Sequence, residues 1–337
     1  MTDSQQILLA SRPSGEPTQQ DFRFESTALP EPQEGEVLLG VKYLSLDPYM
    51  RGRMSAAKSY AAPVEVGDVM EGGTVAEVLS SKSDSLSEGD LVLSYSGWQS
   101  HAVEKASAVR KLDDNGLSPS TALGVLGMPG FTAYAGLLEL GKPKPGETVV
   151  VAAASGPVGS AVGQIARLKG ARAVGIAGGP EKCRYVKEEL GFDEVVDHRD
   201  PDFEANLAAA TPDGIDVYFE NVGGHVWDAV FPRLNTFARV PVCGRIAHYN
   251  DTSAPEGPDK LPRFFSDVLS KSLTIRGFIQ TEFVPTMFAD FRRDMSAWVR
   301  SGEVKYREDV VKGLDNAPDA FIGMLKGKNF GKLVIEV

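Results

Sequence analysis

Residues Glu147–Lys182 read ETVVVAAASGPVGSAVGQIARLKGARAVGIAGGPEK. Thr148 to Ala154 is a short, continuous apolar run, the composition of a strand buried on both faces of a parallel sheet. Ser155, Gly156 and Pro157 break it. Beyond them Val158, Ala161, Val162, Ile165 and Leu168 recur at the spacing of one helical face. Gly170 stands where a left-handed helix cap is wanted, and Ala171 to Ala177 is a second apolar strand. This strand–helix–strand crossover predicts an α/β domain with a doubly wound parallel sheet.

The turn between strand and helix is Ala154-Ser155-Gly156-Pro157-Val158-Gly159, a dinucleotide fingerprint with alanine in the first glycine position. Gly156 lets the backbone approach a pyrophosphate, and Gly159 lets the helix pack close on the strand. The helix N-terminus adds unpaired N–H groups and a positive dipole end. The end of the second strand separates the nucleotides. An NAD site carries an acid about 20 residues after the glycines, to hold the ribose 2′-hydroxyl. Here Gly178-Gly179-Pro180 stand instead, with Lys182 and Arg184 behind them and His198-Arg199 near the end of a third strand. A missing acid among cations suits a 2′-phosphate, so NADP is expected over NAD.

At 337 residues the length favours two domains. The net charge of −11 argues against nucleic acid or an anionic membrane as main partner. The sequence MTDSQQILLASRP lacks the features of a signal peptide, and no run of about 18 apolar residues suggests a membrane span. The two cysteines, Cys183 and Cys243, build neither a four-cysteine zinc site nor a disulfide framework. The histidines at 101, 198, 225 and 248 show no metal-ligand spacing, so no metal site is expected. A cytoplasmic location is the default expectation.

Before residue 125 the chain is a series of short β-rich runs broken by Gly and Pro: Val37–Leu46, Gly73–Leu79, Asp90–Tyr95 and His101–Val103. Asp113–Ser120 is a turn-rich connector, and a Gly-interrupted helical segment follows from Ala122. Later, helices are expected over Glu181–Leu190, Phe203–Ala210, Val226–Leu234 and Val284–Ser301. Strands are expected over Glu194–Asp197, Ile215–Glu220, Ala238–Cys243 and Leu273–Phe278. From Val304 a strand–helix–strand tail is expected to return to the first domain.

Several longer strings resemble one family. They are LSLDPYMRGRM (Leu44–Met54), LGVLGMPGFTAY (Leu123–Tyr134), AASGPVGSAVGQIARLKG (Ala153–Gly170), AGGPEK (Ala177–Lys182), YFENVGG (Tyr218–Gly224), CGRIAHYN (Cys243–Asn250) and GKNFGKLV (Gly327–Val334). Together they resemble the zinc-independent medium-chain dehydrogenase/reductases, among them the prostaglandin/leukotriene, alkenal double-bond and curcumin reductases. The resemblance implies a GroES-like β-barrel domain over residues 1–123, completed by 304–337, and a Rossmann NADP-binding domain over 124–303. It also implies NADPH as cofactor and a homodimer. Gly156, Pro157, Val158 and Gly159 then correspond to the pyrophosphate turn, and Lys182 to the 2′-phosphate lysine. Asn221, the segment Cys243-Gly244 through Tyr249, Phe278-Ile279-Gln280, and Asn329 correspond to further NADP contacts. One departure stands out: Asp197-His198-Arg199 replaces an Asn-Tyr-Lys string. His198 can still donate a hydrogen bond, more effectively when protonated, while Asp197 has to point away from the phosphate.

The chemistry implied is reduction of a C=C bond conjugated to a carbonyl. Asp47-Pro48-Tyr49 stands where a zinc-ligand cysteine would be expected. Adding hydride to the β-carbon instead needs a hydrogen-bond donor at the enolate oxygen and a proton for the α-carbon. Tyr249 is the first candidate and Tyr49 the second; the cofactor ribose hydroxyl and water stay open. Met128, Phe131, Phe278 and Phe283 are candidates to line an apolar pocket. Two other functions remain in play: a quinone oxidoreductase of the same fold, and a non-catalytic NADPH-binding regulatory or structural protein.

Overall fold

The computed structural model describes residues 2–113, 116–253 and 257–337. Positions 114 and 115 of the expected connector lie outside the described residues. The chain divides into two compact units, Met1–Gly124 with Glu308–Val337, and Val125–Arg307.

The first unit begins with β1 (Asp3–Leu9) and β2 (Phe22–Ala28), an antiparallel pair that the sequence reading missed. Then come β3 (Glu36–Ser45), a short helix α1 (Met50–Arg53), β4 (Thr74–Ser81), β5 (Leu91–Ser94), β6 (His101–Lys105) and β7 (Arg110–Lys111). In β3 the two-residue strand period turns Val37, Leu39 and Val41 into the core.

The second unit holds α2 (Met128–Ala135), β8 (Thr148–Ala152), α3 (Pro157–Leu168), β9 (Arg172–Ala177), α4 (Pro180–Arg184), β10 (Glu194–Asp197), α5 (Phe203–Ala210), β11 (Ile215–Phe219), α6 (Gly224–Val230), β12 (Leu234–Val242), α7 (Leu261–Ser270), β13 (Thr274–Gly277) and α8 (Val284–Ser301). Its strands run parallel in the order β10-β9-β8-β11-β12-β13. The chain builds β8, β9 and β10 outward in one direction, then crosses back to lay β11 on the other side of β8. The strand order therefore reverses between β8 and β11, where doubly wound sheets open a ligand crevice at their carboxyl edge. Val149–Ala152 are wholly buried, in keeping with a central strand covered on both faces.

Two expectations need correction. Strand β12 begins at Leu234 rather than Ala238, because Phe237 takes a left-handed φ of 64° and the strand continues through this irregularity with a shifted register. The segment 261–270 is a helix that the sequence reading left blank.

The tail, β14 (Glu308–Lys312), α9 (Ala317–Leu325) and β15 (Lys332–Glu336), belongs to the first unit. Its sheet runs β14-β15-β3-β4-β5-β7, with β6 also on β3 and β15 antiparallel to β3. Phe321 of α9 meets Trp98 edge-on at 5.6 Å, and Trp98 stacks on Phe22 at 5.5 Å, so the tail contributes to the core of that unit.

Candidate functional site

In the second unit the glycine turn follows β8 directly. Ala153 takes a left-handed φ of 54°, one residue before the first glycine position of the fingerprint. Gly156 is the N-cap of α3, with Pro157 and Val158 in the first turn, where N–H groups lack intrahelical partners. A Cβ on Gly159 would lie 2.3 Å from the Ala153 carbonyl oxygen, a distance no side chain survives. Only glycine lets the helix start this close to the strand.

Beside it, β9 ends at Ala177 and runs into Gly178-Gly179. A Cβ on Gly178 would lie 2.7 Å from Nε2 of His198 and 3.0 Å from Nε of Arg199, so two basic side chains lean over this glycine. Asp197 is turned into the backbone: its Oδ1 accepts the N–H groups of Gly179 and Arg199, both at 2.9 Å. Those bonds, against an opposing effect of burial, hold its carboxyl below the usual range. Lys182 is half-buried in α4. Cys183, beside it, is pushed up to about 11 by burial and stays a thiol.

At the carboxyl ends of β11 and β12, Asn221, Gly244 and Tyr249 converge. The Asn221 side chain donates to the Ala152 carbonyl at 2.9 Å and so ties the end of β8 to the end of β11. A Cβ on Gly244 would lie 3.2 Å from the Tyr249 hydroxyl and 3.3 Å from the Asn221 carbonyl oxygen. Tyr249 thus folds back over the Cys243-Gly244 turn. Its loop is pinned by Ile246 and Ala247, whose N–H groups donate to Asn221 and Val222. His248 adds a bridge: Nε2 accepts the Gly224 N–H at 3.1 Å, which leaves Nδ1 to donate to Asp251 at 2.7 Å. Beneath the loop, buried Glu220 accepts the N–H groups of Val222 and Gly223, and burial still raises its carboxyl. The Cys243 thiol is pushed up to about 12 by burial and then by Glu220.

Phe278 is buried, with its ring edge-on to Phe219 at 6.1 Å. That leaves its main chain as what it can offer a ligand. Ile279 and Gln280 are half-buried at the start of a short turn. Phe131 and Phe283 are core residues rather than exposed pocket lining, and Met128 is half-buried.

Tyr49 and Asn329 belong to the first unit. The Tyr49 phenol is held well above its usual range by burial and then by Asp47, so it keeps its proton. The Asn329 side chain donates to the Gly331 carbonyl at 2.9 Å. Sequence reasoning missed Lys332 and His225. Lys332 is buried and donates to Leu46 and Asp47, and His225 stands against His198. A lysine opening the apolar run Leu333-Val334-Ile335 was the available signal for the first; nothing local marks the second.

Residues 5–112 match a family model described as the N-terminal domain of oxidoreductase, and residues 157–300 one described as zinc-binding dehydrogenase. The chain is 55% identical over 330 residues to the NADPH-dependent curcumin reductase of Escherichia coli K12, covering 98% of this chain and 96% of that protein. It is 42% identical over 327 residues to prostaglandin reductase 1 of Rattus norvegicus, covering 96% and 95%. A crystal structure of CurA in complex with NADPH from Vibrio vulnificus superposes with a TM-score of 0.95 at 53% identity, covering 99% of each chain. With such identity sustained along nearly its whole length, the chain belongs to the medium-chain dehydrogenase/reductases, in the branch of the curcumin and prostaglandin reductases.

Proposed function

We propose that this protein reduces the C=C bond of α,β-unsaturated ketones or aldehydes with NADPH. One observation carries the reading: Tyr249 places a hydroxyl over Gly244 at the carboxyl edge of the sheet, beside the point where strand order reverses. The second unit fits the cofactor. The Gly156–Gly159 turn offers helix-terminal N–H groups to a pyrophosphate. Lys182, His198 and Arg199 offer donors at an end of β9 that carries no acid, with Asp197 held by backbone N–H groups. Asn221, the Cys243-Gly244 turn and the Phe278–Gln280 backbone complete the second unit's share of the residues the resemblance assigns to NADP; Asn329, which it also assigns, belongs to the first unit.

When bound, NADPH supplies the hydride that the β-carbon receives. Tyr249 donates a hydrogen bond to the substrate oxygen as negative charge gathers there, and then provides the proton. A neutral hydroxyl suffices because the charge spreads over an enolate. Tyr49 of the first unit, kept protonated by its burial, is the second candidate donor that the sequence offers.

The proposal includes turnover without zinc: Asp47-Pro48-Tyr49 stand where the family resemblance would put a ligand cysteine, and Asp47 is engaged by Lys332. Dialysis against a strong chelator should leave turnover intact. We place the enzyme in the cytoplasm, in keeping with the free thiols of Cys183 and Cys243. A homodimer accords with the exposed apolar residues Leu261, Phe265 and Leu269 of α7, and sedimentation analysis tests it.

The test of the active-site reading is Tyr249→Phe. kcat should fall by about 10²-fold with NADPH affinity little changed. A fall of only a few-fold would pass the role to Tyr49, the ribose hydroxyl or water.

A further inference from the structure

His198 follows β10, and His225 lies in the first turn of α6. Nδ1 of His198 lies 3.2 Å from Nε2 of His225, and that same Nε2 lies 3.2 Å from the His198 carbonyl oxygen. A carbonyl oxygen only accepts, so Nε2 of His225 carries a proton and donates it. Nδ1 of His198 therefore faces a nitrogen that carries a proton and has no lone pair to offer, so Nδ1 is the acceptor of the pair. The single proton of a neutral His198 ring therefore sits on Nε2. That is the atom leaning over Gly178. Phe203 packs edge-on against His225 at 6.0 Å and helps to hold the second ring in place.

The tautomer matters because the surroundings of His198 favour its neutral form. Burial, followed by the neighbouring His225 and Arg199, lowers its pKa from the usual histidine value, and Asp197 only partly offsets this. A charged imidazole would donate from both nitrogens. A neutral one donates from one, and in the other tautomer it would turn a lone pair toward any anion at Gly178.

We propose that His225 is a positioning residue for cofactor specificity, which fixes His198 in its Nε2–H form and so aims a hydrogen-bond donor at the 2′-phosphate of NADPH. The proposal rests on reading Gly178–Lys182 as the 2′-phosphate site. The sequence alone pointed to His198 as a replacement for tyrosine. His225 restores the property a tyrosine has by nature, a donor on the atom that faces the ligand.

The test is equilibrium binding of NADPH, NADH and 2′,5′-ADP to the full-length protein, with ¹⁵N NMR of the imidazoles. His225→Phe keeps a ring but removes the donor. It should weaken NADPH and 2′,5′-ADP by roughly threefold to tenfold, the worth of one hydrogen bond, and leave NADH unchanged. His225→Gln, whose amide N–H can reach the same place, should restore most of the affinity. Combining His225→Phe with His198→Phe should be no worse than His198→Phe alone. The NMR should show His198 protonated on Nε2 in the unaltered protein and a mixture of tautomers in His225→Phe. Undiminished NADPH binding by His225→Phe, where His198→Phe binds weakly, would overturn the proposal. So would a proton on Nδ1 of His198. If His198→Phe is also silent, His198 does not face the phosphate and the proposal falls with that assignment. Lys182→Ala reports separately whether the 2′-phosphate binds here at all.

Discussion

Lys332 and Asp47, far apart in the chain, form an ion pair inside the first unit, with Nζ 2.8 Å from Oδ1 and both side chains under one-tenth exposed. Lys332 also donates to the Leu46 carbonyl at 2.8 Å, and the Ser45 hydroxyl donates to the other Asp47 oxygen. The carboxylate is thus gripped from both sides, two residues ahead of Tyr49. The pair ties β15 of the tail to the segment that follows β3.

Removing one member of a buried pair leaves an uncompensated charge. Lys332→Met should cost about 3–5 kcal/mol of stability, read from denaturant unfolding. Burial already raises the Glu308 carboxyl, and losing the Lys332 charge would raise it further. Replacing both members, as Lys332→Met with Asp47→Leu, should recover much of the loss.

The glycine turn gives a sharper contrast. At Gly159 a Cβ would collide with the Ala153 carbonyl, whereas at Gly156 it would lie 3.2 Å from that oxygen, a contact small shifts relieve. Gly159→Ala should therefore lower stability by at least about 1–3 kcal/mol, the usual cost of overpacking. Gly156→Ala should fold with little loss and instead weaken NADPH binding, by standing where a pyrophosphate approaches. Thermal unfolding and a fluorescence titration, run on both variants, check the pair.

The pH response follows from His198. Its folded-state pKa is lowered by burial, His225, Arg199 and Lys182, with Asp197 acting the other way. The unfolded chain, with an ordinary value of about 6.5, takes up a proton first as the solution is acidified. Stability from this group is fully present above that value and is lost as pH falls toward the folded value. The thermal midpoint of the unaltered protein should therefore drop more steeply below pH of about 6.5 than that of His198→Gln. For the same reason, any gain in phosphate binding from a charged His198 comes only in mildly acidic solution.

What the sequence disclosed, it disclosed through local pattern. Strand β8 is apolar behind Thr148 and β9 behind Arg172, and α8 runs from Val284 to Ser301, the span the sequence predicts. The turn glycines were legible because steric demand at Gly159 arises within a few residues. Helix α7 was legible and was passed over: Leu261, Phe264, Phe265, Val268 and Leu269 recur at the spacing of one helical face. Phe264 packs on the core, while Leu261, Phe265 and Leu269 stay exposed. Strand β1 opens on Asp3-Ser4-Gln5-Gln6, with too few apolar residues to mark it. In the site, Lys182 and Tyr249 stood in recognisable strings. The contacts of His198 with His225 and of Asp47 with Lys332 join distant segments, so only the folded chain brings them together.

The central claim, that hydride goes to the β-carbon and not to the carbonyl carbon, is tested most directly by the position of the label it leaves. The protein is supplied with NADPH deuterated at the transferred position and with an α,β-unsaturated ketone, and the product is read by NMR. Reduction at the C=C bond places deuterium on the β-carbon of a saturated ketone with its carbonyl intact. An allylic alcohol carrying deuterium at the carbinol carbon as the main product would contradict the account.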